Sequence, residues 1–191
     1  MGVDVQIPAV SGSWGTPRPG REVHPVLRPV LPGGLKPGVY SVTGVTSVAF
    51  GLLVDGWCGV VGMPELGVEA AHEWGVDLGR LVLVPRAGAW LETVAALIEG
   101  LDVVLAPAPA QIAPAAAQRL AARLRSRSAT LVVLGDWPRP QAAIRSRTLA
   151  WYGLGKGHGH IAGQLIEVNV SAGHAQRRVT VVRGSDGVAL G

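Results

Sequence analysis

The chain has 191 residues, of which 48% are hydrophobic and 16% charged, and its mean hydropathy is +0.33. That length suits one domain with a core of its own, and this composition excludes a wholly disordered chain. A single cysteine, Cys58, excludes an internal disulfide framework and a cysteine-based zinc site. No run reaches the ~20 apolar residues of a membrane helix, and no basic start leads into an apolar signal core. A reducing, cytoplasmic location without membrane partners is expected. The net charge of +4 is unevenly spread: residues 1–114 carry 6 basic and 10 acidic residues, residues 115–191 carry 11 and 3. A basic second half makes a nucleic acid or an acidic partner surface worth testing.

Residues 1–30 hold five prolines and no apolar period, so they read as a flexible Pro/Gly-rich N-terminal arm, with Trp14 or Val26–Leu27 as its candidate anchors. Residues 31–191 read as one domain. Short, continuously apolar runs at 39–42, 57–61, 81–84, 103–105 and 131–134 have the character of strands buried on both faces of a parallel sheet. Helical spacing connects them at 48–54, 66–74, 90–101 and 114–127, the last opening on Pro114 at a helix-start position. After Pro140 only β character remains, at 148–152, 165–170 and 179–182. The expected fold is α/β, a mostly parallel sheet flanked by helices with a C-terminal antiparallel β extension.

A strand, a glycine turn and a helix at the start of such a domain are where a nucleotide phosphate would sit. The loop here runs from Gly44 through Val45, Thr46, Ser47, Val48, Ala49 and Phe50 to Gly51. Ala49 and Phe50 stand where a phosphate loop has Gly and Lys, and no lysine lies between Lys36 and Lys156. Thr46 and Ser47 read instead as caps of the following helix. The strand at 103–105 ends in Ala106 and Pro107 rather than a magnesium-binding acid, and Asp102 stands at its other end. Loss of the lysine and the acid together argues against ATP hydrolysis, and no cofactor is expected. Gly44, Thr46 and Ser47 remain as a degenerate phosphate loop.

Residues 35–44 resemble the run leading into the phosphate loop of RecA-type recombinases. Residues 74–84 resemble the segment before their third strand, and residues 100–105 resemble their magnesium-site strand without its acid. Taken with residues 57–67, 131–138 and 151–160, the order and spacing more closely resemble the actinobacterial ImuA-prime family, over about residues 31–183. The resemblance implies a RecA-like core and a non-catalytic accessory role in DNA-damage-induced (SOS) mutagenesis and translesion synthesis. It implies ImuB, an inactive Y-family polymerase relative, as direct partner, an error-prone C-family polymerase as indirect partner, and association with the nucleoid during DNA damage. The alternatives are a direct single-stranded DNA-binding module and a divergent nucleotide-binding ATPase.

Candidate surface residues fall in the basic half. Arg119, Arg123 and Arg127 recur every four residues along one helix row, as a solvated face or a partner surface would have them. Trp137, Trp151 and Tyr152 lie near Pro- and Gly-rich turns, and exposed aromatics beside arginine make an interface composition. Lys156, His158 and His160 lie in a Gly-rich turn that reads as an exposed hairpin, and Lys156 with Arg145 and Arg147 has the charge to meet phosphates. Two histidines alone do not make a metal site. Cys58 reads as an inert core thiol.

Overall fold

A computed structural model describes residues 20–154, 159–185 and 187–191. One nine-stranded sheet organises them. Its strands are β1 (Gly38–Thr43), β2 (Cys58–Val61), β3 (Leu81–Val84), β4 (Val103–Pro107), β5 (Thr130–Leu134), β6 (Ala142–Leu154), β7 (Gly159–Ala172), β8 (Ala175–Gly184) and β9 (Gly187–Leu190). Their spatial order is β3-β2-β4-β5-β1-β6-β7-β8-β9. Pairings from β3 across to β6 are parallel and those from β6 to β9 antiparallel. The fold is therefore α/β, with a largely parallel sheet and an antiparallel extension. No helix among the described residues is long and apolar enough to cross a membrane.

Burial follows position in the sheet. β1, β2, β4 and β5 are buried along nearly their whole length, as the continuous apolar runs require. β3 departs from that expectation: it is an edge strand, at the parallel end of the sheet, and Leu83 is exposed. The fourth antiparallel strand, β9, has only four residues and was not foreseen.

Among the described residues, three α-helices flank the sheet: α1 (Val68–Glu73), α2 (Trp90–Leu97) and α3 (Pro114–Arg127). In α3 the proline sits in the first turn, Ala117, Leu120 and Leu124 are buried, and Ser128 ends the helix in the left-handed conformation (φ 55°). α2 and α3 enclose one core against the sheet, with Val39, Val104, Leu131 and Val133. On the opposite face, α1 and the N-terminal residues enclose a second core around Trp74, Tyr40, Leu105 and Ile166.

Two local expectations are corrected here. The helix expected at 48–54 is a 3-10 helix, Thr46–Leu52. The chain leaves β1 and must reach β2 three strands away, roughly 14 Å across the sheet, with only residues 44–57 to do it. A 3-10 helix rises about 2.0 Å per residue against about 1.5 Å in an α-helix, so it covers that span with fewer residues. Residues 20–30, read from sequence as flexible arm with a candidate anchor at Val26–Leu27, are packed well beyond that anchor. Arg21 pairs with Leu35 in a β-bridge, Pro25–Leu27 form a 3-10 turn, and Val23, Val26, Leu27 and Val30 are buried. Prolines interrupt any apolar period there without preventing burial. Residues 1–19, the remainder of the expected arm with Trp14, lie outside the described residues.

Between β5 and β6 the chain has no helix. Gly135 N–H donates to the Val42 carbonyl (2.8 Å) at the end of β1, and Gln141 N–H donates to the Val39 carbonyl (2.7 Å) near its start. The intervening residues form a strap that crosses β1 on the α3 side.

Candidate functional site

The head of β1 is where the phosphate loop was expected. Gly44 adopts φ +95°, and a Cβ there would lie 1.8 Å from the Ser146 carbonyl oxygen of β6. The next amide, Val45 N–H, donates to Ser146 Oγ at 2.8 Å. Ser146 Oγ in turn lies 3.2 Å from the Thr43 carbonyl. A loop that cradles phosphate must turn such amides outward. Here the first one is consumed by the neighbouring strand. Val45, not Thr46 or Ser47, precedes the 3-10 helix, and no side chain caps it. The capping role expected of Thr46 and Ser47 is therefore corrected: both lie inside the helical turn. Ser47 Oγ is buried, with no hydrogen-bond partner among the described residues. A shallow cavity of about 270 Å³ remains between Thr43, Gly44, Thr46, Leu134 and Gly135, and no charged side chain lines it.

Asp102 works at the opposite end of the sheet. Its carboxylate accepts from Trp57 N–H (2.7 Å) and pairs with Arg21 (2.6 Å), fastening the N-terminal residues beneath β2 and β4.

The arginine row on α3 is largely committed. Arg123 donates through Nε to Glu99 (2.6 Å) and Arg127 pairs with the other Glu99 oxygen (2.5 Å). The Arg123 hydrogen bond, with the charges of both arginines, holds the Glu99 carboxyl below its ordinary range. The row thus clamps α3 to the turn after α2. Arg119 and Arg125 are exposed, with no carboxylate partner among the described residues.

Arg145 and Arg147 share a face of the antiparallel extension with Arg178: Arg145 pairs with Asn169, which pairs with Arg178, and Arg147 pairs with Glu167. Arg147 Nε donates to Glu167 (2.8 Å), and Arg178 approaches the same carboxylate at 3.6 Å. The hydrogen bond from Arg147, then that from Asn169, lowers the Glu167 pKa. No residue of β6–β9 belongs to the core under α2 and α3, so this face of the extension is left without a helix.

Trp137 is not an exposed aromatic. It is only 8% exposed and packs against Trp90 with ring centroids 5.9 Å apart. Trp90 Nε1–H donates to the Pro107 carbonyl (2.9 Å), which fixes the pair. The strap puts Trp137 into the core because it crosses β1 there. Trp151 and Tyr152 are exposed, Trp151 by 52%. They stand near the end of the β6–β7 hairpin, which runs beyond β8: β8 ends at Gly184, opposite Gly163. Adjacent on β6, Trp151 and Tyr152 point to opposite faces of the sheet. Leu149 and Ile161, the latter 60% exposed, are further exposed apolar residues of this hairpin and were not singled out from sequence. At its base a cavity of about 210 Å³ lies between Trp151, Ile161 and Gln164, beside the Glu73–Arg183 ion pair (2.8 Å). Lys156 and His158 lie outside the described residues. His160 is in β7, and its side chain is not among those described.

Cys58 is buried, and its thiol donates to the Leu53 carbonyl (3.2 Å). Burial, the largest cause, pushes its pKa up to about 12, so it holds its proton and is a poor nucleophile. No group of three His, Cys, Asp or Glu with metal-site geometry occurs among the described residues.

Residues 29–139 match the family described as MT3502 N-terminal domain. The chain belongs to that family. It is also 33% identical, over 159 residues, to the uncharacterized protein Rv3395c of Mycobacterium tuberculosis, an alignment covering 75% of this chain and 78% of that protein. The MT3502 match takes in the parallel strands β1–β5, all three helices and most of the strap, and it stops just before β6. The hairpin carrying Trp151 and Tyr152 lies outside the matched span.

Proposed function

We propose that this protein is a non-catalytic, RecA-like accessory subunit of DNA-damage-induced mutagenesis and translesion synthesis. It docks an ImuB-type inactive Y-family polymerase relative and, through it, serves an error-prone C-family polymerase. The observation that carries the non-catalytic part is the Val45–Ser146 hydrogen bond, which uses the amide a phosphate would need. The largely parallel sheet flanked by helices supports the RecA-like core that the resemblance implies. The partner follows from that resemblance, since fold alone does not assign function. The β6–β7 hairpin supports docking by contact: exposed Trp151 and Ile161 line one cavity there beside the Glu73–Arg183 ion pair, an aromatic next to charge as interface centres have it.

A second reading, direct binding of single-stranded DNA, is favoured by Arg145, Arg147 and Arg178 on one face of the extension without a covering helix. Glu167 between them offsets one of the three charges. One size-exclusion experiment separates the readings. The chain is run with the ImuB-like protein of the same genome, with and without Mg-ATP, and separately with an oligothymidylate at low salt. The accessory reading expects a stable protein complex that ignores ATP. No protein complex, together with co-elution of the oligonucleotide that salt abolishes, supports the second reading instead.

A further inference from the structure

We infer that the groove between α3 and the strap over β1 is a second docking surface, one that takes an acidic, apolar peptide segment of a partner protein. The groove has a volume of about 480 Å³. Ala121, Pro114, Pro138 and Pro140 give it an accessible apolar lining over the buried Val39 and Trp137, Gln118 and Gln141 add amides, and two guanidiniums, Arg125 and Arg139, line it as well. The charge pattern selects the occupant. Arg123 and Arg127 of the same helix are both tied to Glu99, whereas Arg125 has no carboxylate partner among the described residues. Arg139 has none either. Residues 114–147 hold seven arginines and a single carboxylate, Asp136. Two unpaired guanidiniums beside an apolar floor fit carboxylates flanking an aliphatic or aromatic side chain.

The groove is also built in advance. Arg139 stands at φ +52° between Pro138 and Pro140, a backbone that proline on both sides makes stiff. Gly38 beside the groove takes φ +146°, which an L side chain rarely adopts, and a Cβ there would lie 2.6 Å from the Gln141 side chain, which would have to shift. A rigid groove saves its ligand the cost of ordering it. Single-stranded nucleic acid suits this groove poorly, because no exposed aromatic side chain lines it for a base to stack on. The groove shares no lining residue with the hairpin surface, so this inference stands or falls independently of the partner proposed above.

The test is a phage library of short random peptides selected on the full chain, with an Arg125→Glu/Arg139→Glu variant as counter-target. Circular dichroism checks that the variant is folded. Enriched sequences are expected to place Asp or Glu next to Leu, Ile, Phe or Trp. The best peptide, labelled with fluorescein, should bind the variant about tenfold or more weakly than the native chain, since charge pairs across an interface carry that much coupling. Ala121→Glu, which fills the groove and repels an acidic ligand, should also weaken the peptide. Failure to enrich any sequence, enrichment without acidic residues, or equal affinity for the folded double variant would each overturn the inference.

Discussion

Replacing Gly44 with alanine is expected to destabilise the fold by about 3 kcal/mol or more, the upper end of what single substitutions cost. Two causes act at once. At φ +95° an L side chain is strained whatever space surrounds it, and the new Cβ would lie 1.8 Å from the Ser146 carbonyl. That carbonyl belongs to β6, so it cannot swing aside as a long side chain would. Either β6 moves away from β1, whose parallel pairing runs through Thr43 and Arg145, or the loop opens and Val45 loses its hydrogen bond. Gly100→Ala is the control, because a Cβ there meets nothing within 4 Å. Its effect should stay within about 1 kcal/mol. Urea unfolding of the two variants checks both figures. Similar stability for both would mean that the loop and β6 are not locked together.

Trp151→Ala is expected to weaken the proposed complex with the ImuB-like protein about thirtyfold, or about 2 kcal/mol, as truncating a central interface aromatic does. The side chain is half exposed, so the fold itself should change by no more than about 0.5 kcal/mol. Trp57→Ala provides the comparison. Trp57 is exposed to a similar degree, but it lies just before β2, at the end of the sheet where Asp102 holds its N–H. Calorimetric titration of the partner into each variant should show a loss for Trp151 and none for Trp57. Equal losses would point to a general effect of removing tryptophan, and no loss at Trp151 would remove the hairpin from the interface.

Local patterns predicted local structure well. α3 spans the residues that Pro114 and the apolar spacing mark, and β3 coincides with the apolar run at 81–84. What sequence did not reveal depends on residues far apart in the chain. Trp137, between Asp136 and Pro138, reads as a turn aromatic, yet the strap takes it over β1 into the core beside Trp90. The α3 arginines read as a solvated row until Glu99, at the end of α2, captures two of them. Prolines made residues 20–30 look loose, while Val23, Val26 and Leu27 cover the second core. The missing lysine of the phosphate loop was legible at Gly44–Gly51. Its structural replacement was not, because Ser146 lies 101 residues from the amide it satisfies.

The most direct test of the account is calorimetric titration of Mg-ATP into the native chain. If the head of β1 is satisfied by Ser146 and the chain acts by contact alone, no saturable heat should appear up to about millimolar nucleotide, a limit near 4 kcal/mol of binding free energy. Saturable one-site binding that Thr46→Val weakens would contradict the account and restore a working nucleotide site at Gly44.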